Sequence, residues 1–89
     1  MSLDVELFFS LHCPHCLAAR TQVRAAISAL PANTIHYQER NVMECLEHAV
    51  ELGVRATPAI AVSGKLLSTV RWETKALRAL FNSQCKKDA

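Results

Sequence analysis

The order of apolar and polar residues along the chain predicts alternating strands and helices. Short apolar or β-prone runs bounded by turn residues are typical of strands, and longer segments repeat apolar residues at helical spacing. The predicted order is therefore βαβαββα. The strands are expected at 4–9, 34–39, 58–62 and 66–68, and the helices at 17–30, between Asn41 and Gly53, and from about 70 to 85.

Individual residues suggest how the helices begin and end. Pro14 suits the first turn of the first helix, because its missing N–H costs nothing there. Asn41 with Glu44 three residues later resembles a capping box for the second helix, and Gly53 suits its left-handed end. The apolar stripe expected to be buried on that helix consists of Val42, Leu46, Ala49 and Val50.

This order predicts an α/β fold with a four-stranded mixed sheet. The first two strands are separated by a helix and should be parallel, whereas the last two should form an antiparallel hairpin. Helices should then cover both faces of the sheet. The chain has 89 residues, and we expect a single domain over residues 1–89.

Composition excludes several classes of partner. The net charge of +2 is too small to favour nucleic acid, and no apolar run approaches the ~20 residues that span a bilayer. The first four residues lack the basic region of a signal peptide, so we expect a cytoplasmic protein.

The segment Cys13-Pro14-His15-Cys16 carries the candidate chemistry. Two thiols at this spacing can close a small disulfide ring and open it again. Cys13 lies at the predicted strand–helix junction, where free N–H groups and the helix dipole favour a thiolate, and Cys16 lies a turn further in. The alternative is a metal half-site with His12 and His15 as further ligands, but a CxxC in this context favours redox chemistry.

Thr57-Pro58 stands directly before the third strand. Together with the CxxC and the element order, it makes the whole chain resemble the thioredoxin fold. The resemblance is closest to the small glutaredoxin-like thioredoxins, whose matching segments look much like Asn41-Val42-Met43-Glu44 and residues 53–60. It implies that Pro58 is cis and faces the CxxC, and that the Thr57 backbone pairs with an extended substrate chain. It also implies that Cys13 is the attacking thiol and Cys16 the resolving thiol.

Pro14, His15 and His12 are candidates for modulating the site, and Arg55 is a candidate for binding substrate. A protonated His15 would add positive charge beside Cys13 and favour its thiolate, and it would make the protein more oxidising. His12 replaces the Trp that precedes the first Cys in thioredoxins, and either a role or a solvated loop position fits it. Arg55 either steers anionic substrates and stabilises the thiolate or is an ordinary surface residue.

The sequence departs from the family pattern at two places. Leu7 occupies the position of a buried Asp that assists the resolving thiol in thioredoxins, and neighbouring Glu6 should face the other side of the sheet. Residues 67–70 lack the Gly-Gly pair that helps glutaredoxins hold glutathione. The remaining cysteines, Cys45 and Cys85, are expected to pack as small apolar side chains.

The sequence therefore predicts a monomeric thiol–disulfide oxidoreductase that acts on protein or small-molecule disulfides through Cys13 and Cys16. We expect no bound cofactor and no metal, with electrons supplied by a flavin thioredoxin reductase or by glutathione. A glutathione-dependent glutaredoxin and a metal-binding CxxC module are the alternatives.

Overall fold

A computed structural model describes residues 3–67 and 70–87 of the chain. The elements follow the predicted βαβαββα order. The strands are β1 (Leu3–Phe9), β2 (Ile35–Asn41), β3 (Ala59–Val62) and β4 (Lys65–Leu66), and the helices are α1 (Cys16–Ser28), α2 (Leu46–Leu52) and α3 (Thr74–Lys87). Each predicted element is present, with its bounds shifted by a few residues. The predicted end of the last strand at Ser68 lies outside the described residues.

The strands form the predicted mixed sheet in the order β2-β1-β3-β4. β1 runs parallel to β2, with Leu3 beside Ile35 and Phe9 beside Asn41. β3 is antiparallel to both β1 and β4. The first strand is therefore central, and its carboxyl end leads directly into the CxxC segment.

Both faces of the sheet carry an apolar core, because side chains alternate along each strand. On one face, Val5 and Ile60 pack with Val23 of α1 and with Leu77 and Phe81 of α3. On the opposite face lies a smaller core, formed by Phe8, Ala49 and Ala61. The smaller core reflects the shortness of α2, which offers one buried residue to the sheet.

The first turn of α1 does not include Pro14. Pro14 is exposed and lies in the turn before the helix, where His15 is the N-terminal cap and Cys16 the first helical residue. The prediction that Pro14 occupies the first helical turn is therefore wrong. The two-cysteine ring closes ahead of the helix and joins it at its first residue.

The predicted capping box of α2 is also wrong. Asn41 is the last residue of β2, and its side-chain oxygen accepts a hydrogen bond from the backbone N–H of Met43 at 3.0 Å. That local turn uses the residue that was expected to cap the helix, and α2 starts only at Leu46. Gly53 does end the helix in the left-handed conformation, with φ of 91°.

The expected buried stripe of α2 is largely at the surface. Leu46 and Val50 are 56% and 66% exposed, and Val42 is only partly buried. Ala49 alone among the four is buried. The helix therefore touches the sheet through its smallest apolar residue and turns two large ones outward.

α3 begins at Thr74, four residues after the predicted start at Val70. The side-chain oxygen of Gln22 on α1 accepts hydrogen bonds from both the backbone N–H of Thr74, at 2.8 Å, and its hydroxyl. Trp72, just ahead of the helix, packs partly buried against the larger core. Within the described ranges, no helix is long and apolar enough to cross a membrane.

Candidate active site

Cys13 and Cys16 form a disulfide with their Cα atoms 5.4 Å apart. Cys16, the first residue of α1, is 3% exposed. Cys13 lies in the preceding loop and is only partly buried. Cys13 is therefore the more accessible of the two cysteines.

The Thr57–Pro58 peptide bond is cis, as expected, and it lies against the disulfide. The carbonyl oxygen of Thr57 is 3.5 Å from the sulfur atom of Cys13. The Thr57 hydroxyl is 3.3 Å from the hydroxyl of Ser10, the residue that follows β1. The end of β1 and the start of β3 thus hold the loop and the disulfide side by side.

Sequence reasoning did not single out Ser10. The available signal was its position. Ser10 directly follows β1, and Thr57 and Pro58 directly precede β3. Because β1 and β3 are antiparallel neighbours, these positions lie at the same edge of the sheet. A hydroxyl there can hydrogen-bond a second loop, which serves to fix the position of Thr57.

The remaining candidates lie around this centre. His12 and His15 are both exposed, and His15 makes no side-chain hydrogen bond to the helix that it precedes. Arg55 is exposed and borders shallow depressions on both sides of the Thr57–Pro58 loop. Both histidines are open to solvent, so any charge on them acts through a screened interaction.

A network that the sequence did not reveal lies beside α1, one helical turn beyond Cys16. The guanidinium of Arg20 stacks over the ring of Phe9, 4.5 Å from its centroid, and donates to the carboxylate of Glu39 at 3.0 Å. Arg24 and the hydroxyl of Tyr37 donate to the same carboxylate, Tyr37 at 2.8 Å. The only sequence signal was the i, i+4 spacing from Cys16 to Arg20 to Arg24, which places these side chains on one helix face.

The network shifts the pKa values of Arg24, Tyr37 and Glu39, and that of Arg24 is raised by its hydrogen bond to Glu39. Burial alone would raise the pKa of Glu39, but hydrogen bonds from Arg24, Tyr37 and Arg20 outweigh it, and the pKa is lowered. Burial and the hydrogen bond to Glu39 raise the pKa of Tyr37 far above its ordinary value. Glu39 is therefore a carboxylate and Tyr37 a neutral phenol over the physiological range.

Leu7 occupies the position at which thioredoxins carry a buried Asp, and the structure shows its surroundings. Leu7 is fully buried. Glu6 points to the opposite face, where it pairs with Arg40 and lies 2.9 Å from the imidazole of His48 on α2. The expected orientation of Glu6 away from the disulfide side is confirmed.

The two other cysteines are free and half-buried, in agreement with a packing role. Cys45 packs against the smaller core, and Cys85 against the larger one. Over the described ranges, no three His, Cys, Asp or Glu side chains are grouped so as to hold a metal ion.

Comparison with known proteins agrees with this geometry. The family profile described as a thioredoxin domain matches residues 3–82. The chain belongs to the thioredoxin family. It is 38% identical to a thioredoxin of Methanocaldococcus jannaschii over 62 residues, which cover 70% of this chain and 72% of that protein. It is 34% identical over 64 residues to a probable thioredoxin of Methanothermobacter thermautotrophicus, covering 72% of this chain and 74% of that one.

The thioredoxin fold is also shared with solved structures. Thioredoxin of Malassezia sympodialis superposes with a TM-score of 0.75 at 24% identity, over 94% of this chain and 76% of that chain. Membership of the thioredoxin family, together with the bonded cysteine pair, makes the protein a thiol–disulfide oxidoreductase. Its substrates are disulfides, and a reductase partner returns it to the dithiol form.

Proposed function

We propose that Cys13 is the attacking thiol and Cys16 the resolving thiol of this oxidoreductase. The observation that supports the assignment is the difference in exposure, because Cys13 is partly open to solvent whereas Cys16 is 3% exposed. An incoming disulfide can approach the Cys13 sulfur from the side of Thr57, whose carbonyl oxygen lies 3.5 Å away. Cys16 is shielded from such an approach by the helix that it begins.

The exchange proceeds in two displacements. The Cys13 thiolate attacks one sulfur of the substrate disulfide, forming a mixed disulfide and expelling the other sulfur as a thiolate, which takes a proton from water. The Cys16 thiolate then attacks the Cys13 sulfur, closing the Cys13–Cys16 bond and releasing the second substrate thiol. Two electrons pass from the protein dithiol to the substrate, and no bound cofactor is required.

We place Thr57 and Pro58 in substrate binding. The cis peptide turns the Thr57 backbone toward the disulfide, where an extended substrate chain can pair with it as an added strand. We propose that Arg55, which lines the same depression as Thr57, attracts anionic groups to the site.

The proposed reductant is a flavin thioredoxin reductase, and the proposed compartment is the cytoplasm. Residues 67–70, Leu-Ser-Thr-Val, contain no Gly-Gly pair of the kind that holds glutathione in glutaredoxins. Absence of that pair supports reduction by a protein partner over reduction by glutathione.

Turnover with a protein disulfide tests this proposal. The oxidised protein is supplied with NADPH and either a flavin thioredoxin reductase or glutathione with glutathione reductase, and NADPH oxidation is followed. We expect turnover with the thioredoxin reductase that is lost in Cys13→Ser and retained in a Cys45→Ser, Cys85→Ser control. Turnover with glutathione alone would instead support the glutaredoxin alternative.

A further inference from the structure

The outward face of α2 carries apolar side chains that the fold does not use. Leu46 and Val50 lie one turn apart on this face, and both are more than half exposed. Met43, in the turn before the helix, is exposed as well. Leu46 and Val50 therefore form an exposed apolar pair on one side of a seven-residue helix.

This surface continues into a groove next to the disulfide. Leu46 and Val50 line a depression of about 270 Å³ together with Val42, Ala49 and Val54. Ser10 and Thr57 line the same depression. The Thr57 carbonyl oxygen is 3.5 Å from the Cys13 sulfur, so one residue of the groove lining is next to the reacting atom.

The groove is small for a free ligand. Sites for small molecules and cofactors usually enclose roughly 300–1,000 Å³ and bury most of the ligand. A shallow apolar depression below that size suits one or two side chains of a polypeptide that is held elsewhere, here through a sulfur bond to Cys13.

Charge differs between the two ends of the surface. Arg55 borders the groove at the end near Thr57. A second depression shares Leu46 and Val50 with the groove and is also lined by Glu47 and Glu51. Within the part of the chain that the structure describes, neither carboxylate is in an ion pair. The second depression is therefore acidic and open to a cation.

We propose that this surface, the α2 groove, docks an extended segment of the substrate protein that carries a large aliphatic side chain close to the reacting cysteine and a basic residue beyond it. The aliphatic side chain lies between Leu46 and Val50, and the basic side chain meets Glu47 and Glu51. The inference rests on the proposed chemistry at Cys13, which holds one end of the segment. It assigns a substrate class to that chemistry.

Peptide disulfides of matched length provide the test. One peptide carries Leu and Lys at successive positions beyond its cysteine, and the other carries Ser and Gln at the same positions. Each is presented as its disulfide-linked dimer to the reduced protein, and hydroxyethyl disulfide, which is small and uncharged, serves as the reference substrate. The measured quantity is kcat/KM for each peptide divided by kcat/KM for hydroxyethyl disulfide.

If the α2 groove docks the aliphatic side chain, Leu46→Gln should selectively lower the kcat/KM ratio for the Leu-Lys peptide. Leu46 is 56% exposed, so docking has about half of a leucine side chain left to cover. We expect the ratio for the Leu-Lys peptide to fall about tenfold, which corresponds to ~1.4 kcal/mol. The ratio for the Ser-Gln peptide should change less than twofold. Leu17→Gln is the matched control, because Leu17 is 72% exposed and lies outside the groove, and its ratios should equal those of the wild type.

A second pair of variants tests the charge. Glu47→Gln combined with Glu51→Gln should lower the ratio for the Leu-Lys peptide roughly threefold at low salt, and the effect should disappear at high salt. Glu73→Gln, an exposed carboxylate before α3, should leave the ratio unchanged.

Three results would overturn the inference. Equal losses for both peptides in Leu46→Gln, or an equal loss in Leu17→Gln, would mean that the groove does not select the aliphatic residue. Self-association that Leu46→Gln abolishes would show that a second copy of the chain occupies the surface. Loss of the reaction with hydroxyethyl disulfide in the wild type would instead contradict the proposed chemistry at Cys13.

Discussion

Replacing Glu39 with Gln tests how much the network beside α1 contributes to stability. The Glu39 carboxylate is 14% exposed and accepts hydrogen bonds from three donors on two elements, namely Arg20, Arg24 and Tyr37. Gln keeps one acceptor oxygen at nearly the same place but removes the charge. The variant therefore weakens the network without creating a cavity.

The expected loss in the free energy of unfolding depends on which hydrogen-bond donors are shielded from water. Arg24 is 59% exposed, so its ion pair is screened by water and contributes nothing to this estimate. Arg20 and Tyr37 are better shielded, and a hydrogen bond to a charged group contributes ~1.5–3 kcal/mol. Charge-assisted bonds are roughly twice as strong as neutral ones, so Glu39→Gln should lower the free energy of unfolding by about 2 kcal/mol.

The loss should depend on pH in a definite direction. Because the pKa of Glu39 is lowered in the folded protein, the stability from its carboxylate is fully present above the unfolded value of 4.5. It is lost as the pH falls through the lower folded value. Wild type and variant should therefore converge in acid. Above about pH 10 the protein should lose stability as the pH rises, because the pKa of Tyr37 is raised in the folded state. The unfolded state then releases a proton that the folded state retains.

Urea unfolding monitored by the fluorescence of Trp72, the single tryptophan, measures this difference. The matched control is Glu44→Gln, an exposed carboxylate in the turn before α2. A loss in Glu39→Gln no larger than in the control at neutral pH would refute the reasoning. A loss that persists unchanged in acid would show that the carboxylate charge is not its cause.

Three further predictions concern the core, a turn and the redox centre. Phe81→Ala, at a fully buried position, should lower the free energy of unfolding by ~3–5 kcal/mol, measured by urea denaturation against exposed Arg78→Ala. Gly53→Ala should lower the free energy of unfolding by ~1–2 kcal/mol in the same assay. The cause is backbone strain, since φ is 91° and no atom lies near the added Cβ, and an unchanged midpoint would contradict it. His15→Gln should lower the reduction potential by roughly 10–30 mV in a glutathione buffer, where 30 mV is ~1.4 kcal/mol, and equal potentials would make His15 a spacer.

The element order and the two-cysteine site were readable because their signals are local. The apolar run of β1, the helical spacing in α1 and the CxxC between them each lie within a few residues of one another. The cis bond at Thr57–Pro58 was different. It was expected only through the family resemblance, since proline by itself leaves the trans form favoured.

α2 shows where local signals mislead. Asn41 has the side chain of a good helix cap, but the same oxygen also closes a turn with Met43, and sequence does not say which hydrogen bond forms. Leu46 and Val50 follow the spacing of a buried face, yet spacing cannot tell whether a neighbouring element is there to cover them.

The Glu39 network could not be predicted because it joins residues that are far apart in sequence. Arg20 and Glu39 are 19 positions apart and meet only because α1 packs beside β2. The pairing of Glu6 with His48 spans 42 positions and depends on where α2 lies over the sheet. Such contacts follow from the tertiary arrangement.

The central claim is that Cys13 attacks and Cys16 resolves, and competitive alkylation tests it most directly. The fully reduced protein is treated near neutral pH with less than one equivalent of iodoacetamide, and the label is located by peptide mass spectrometry. Half-buried Cys45 and Cys85 serve as internal references for ordinary thiols in the same molecule. The account predicts that Cys13 carries most of the label, whereas preferential labelling of Cys16, or of either reference cysteine, would contradict it.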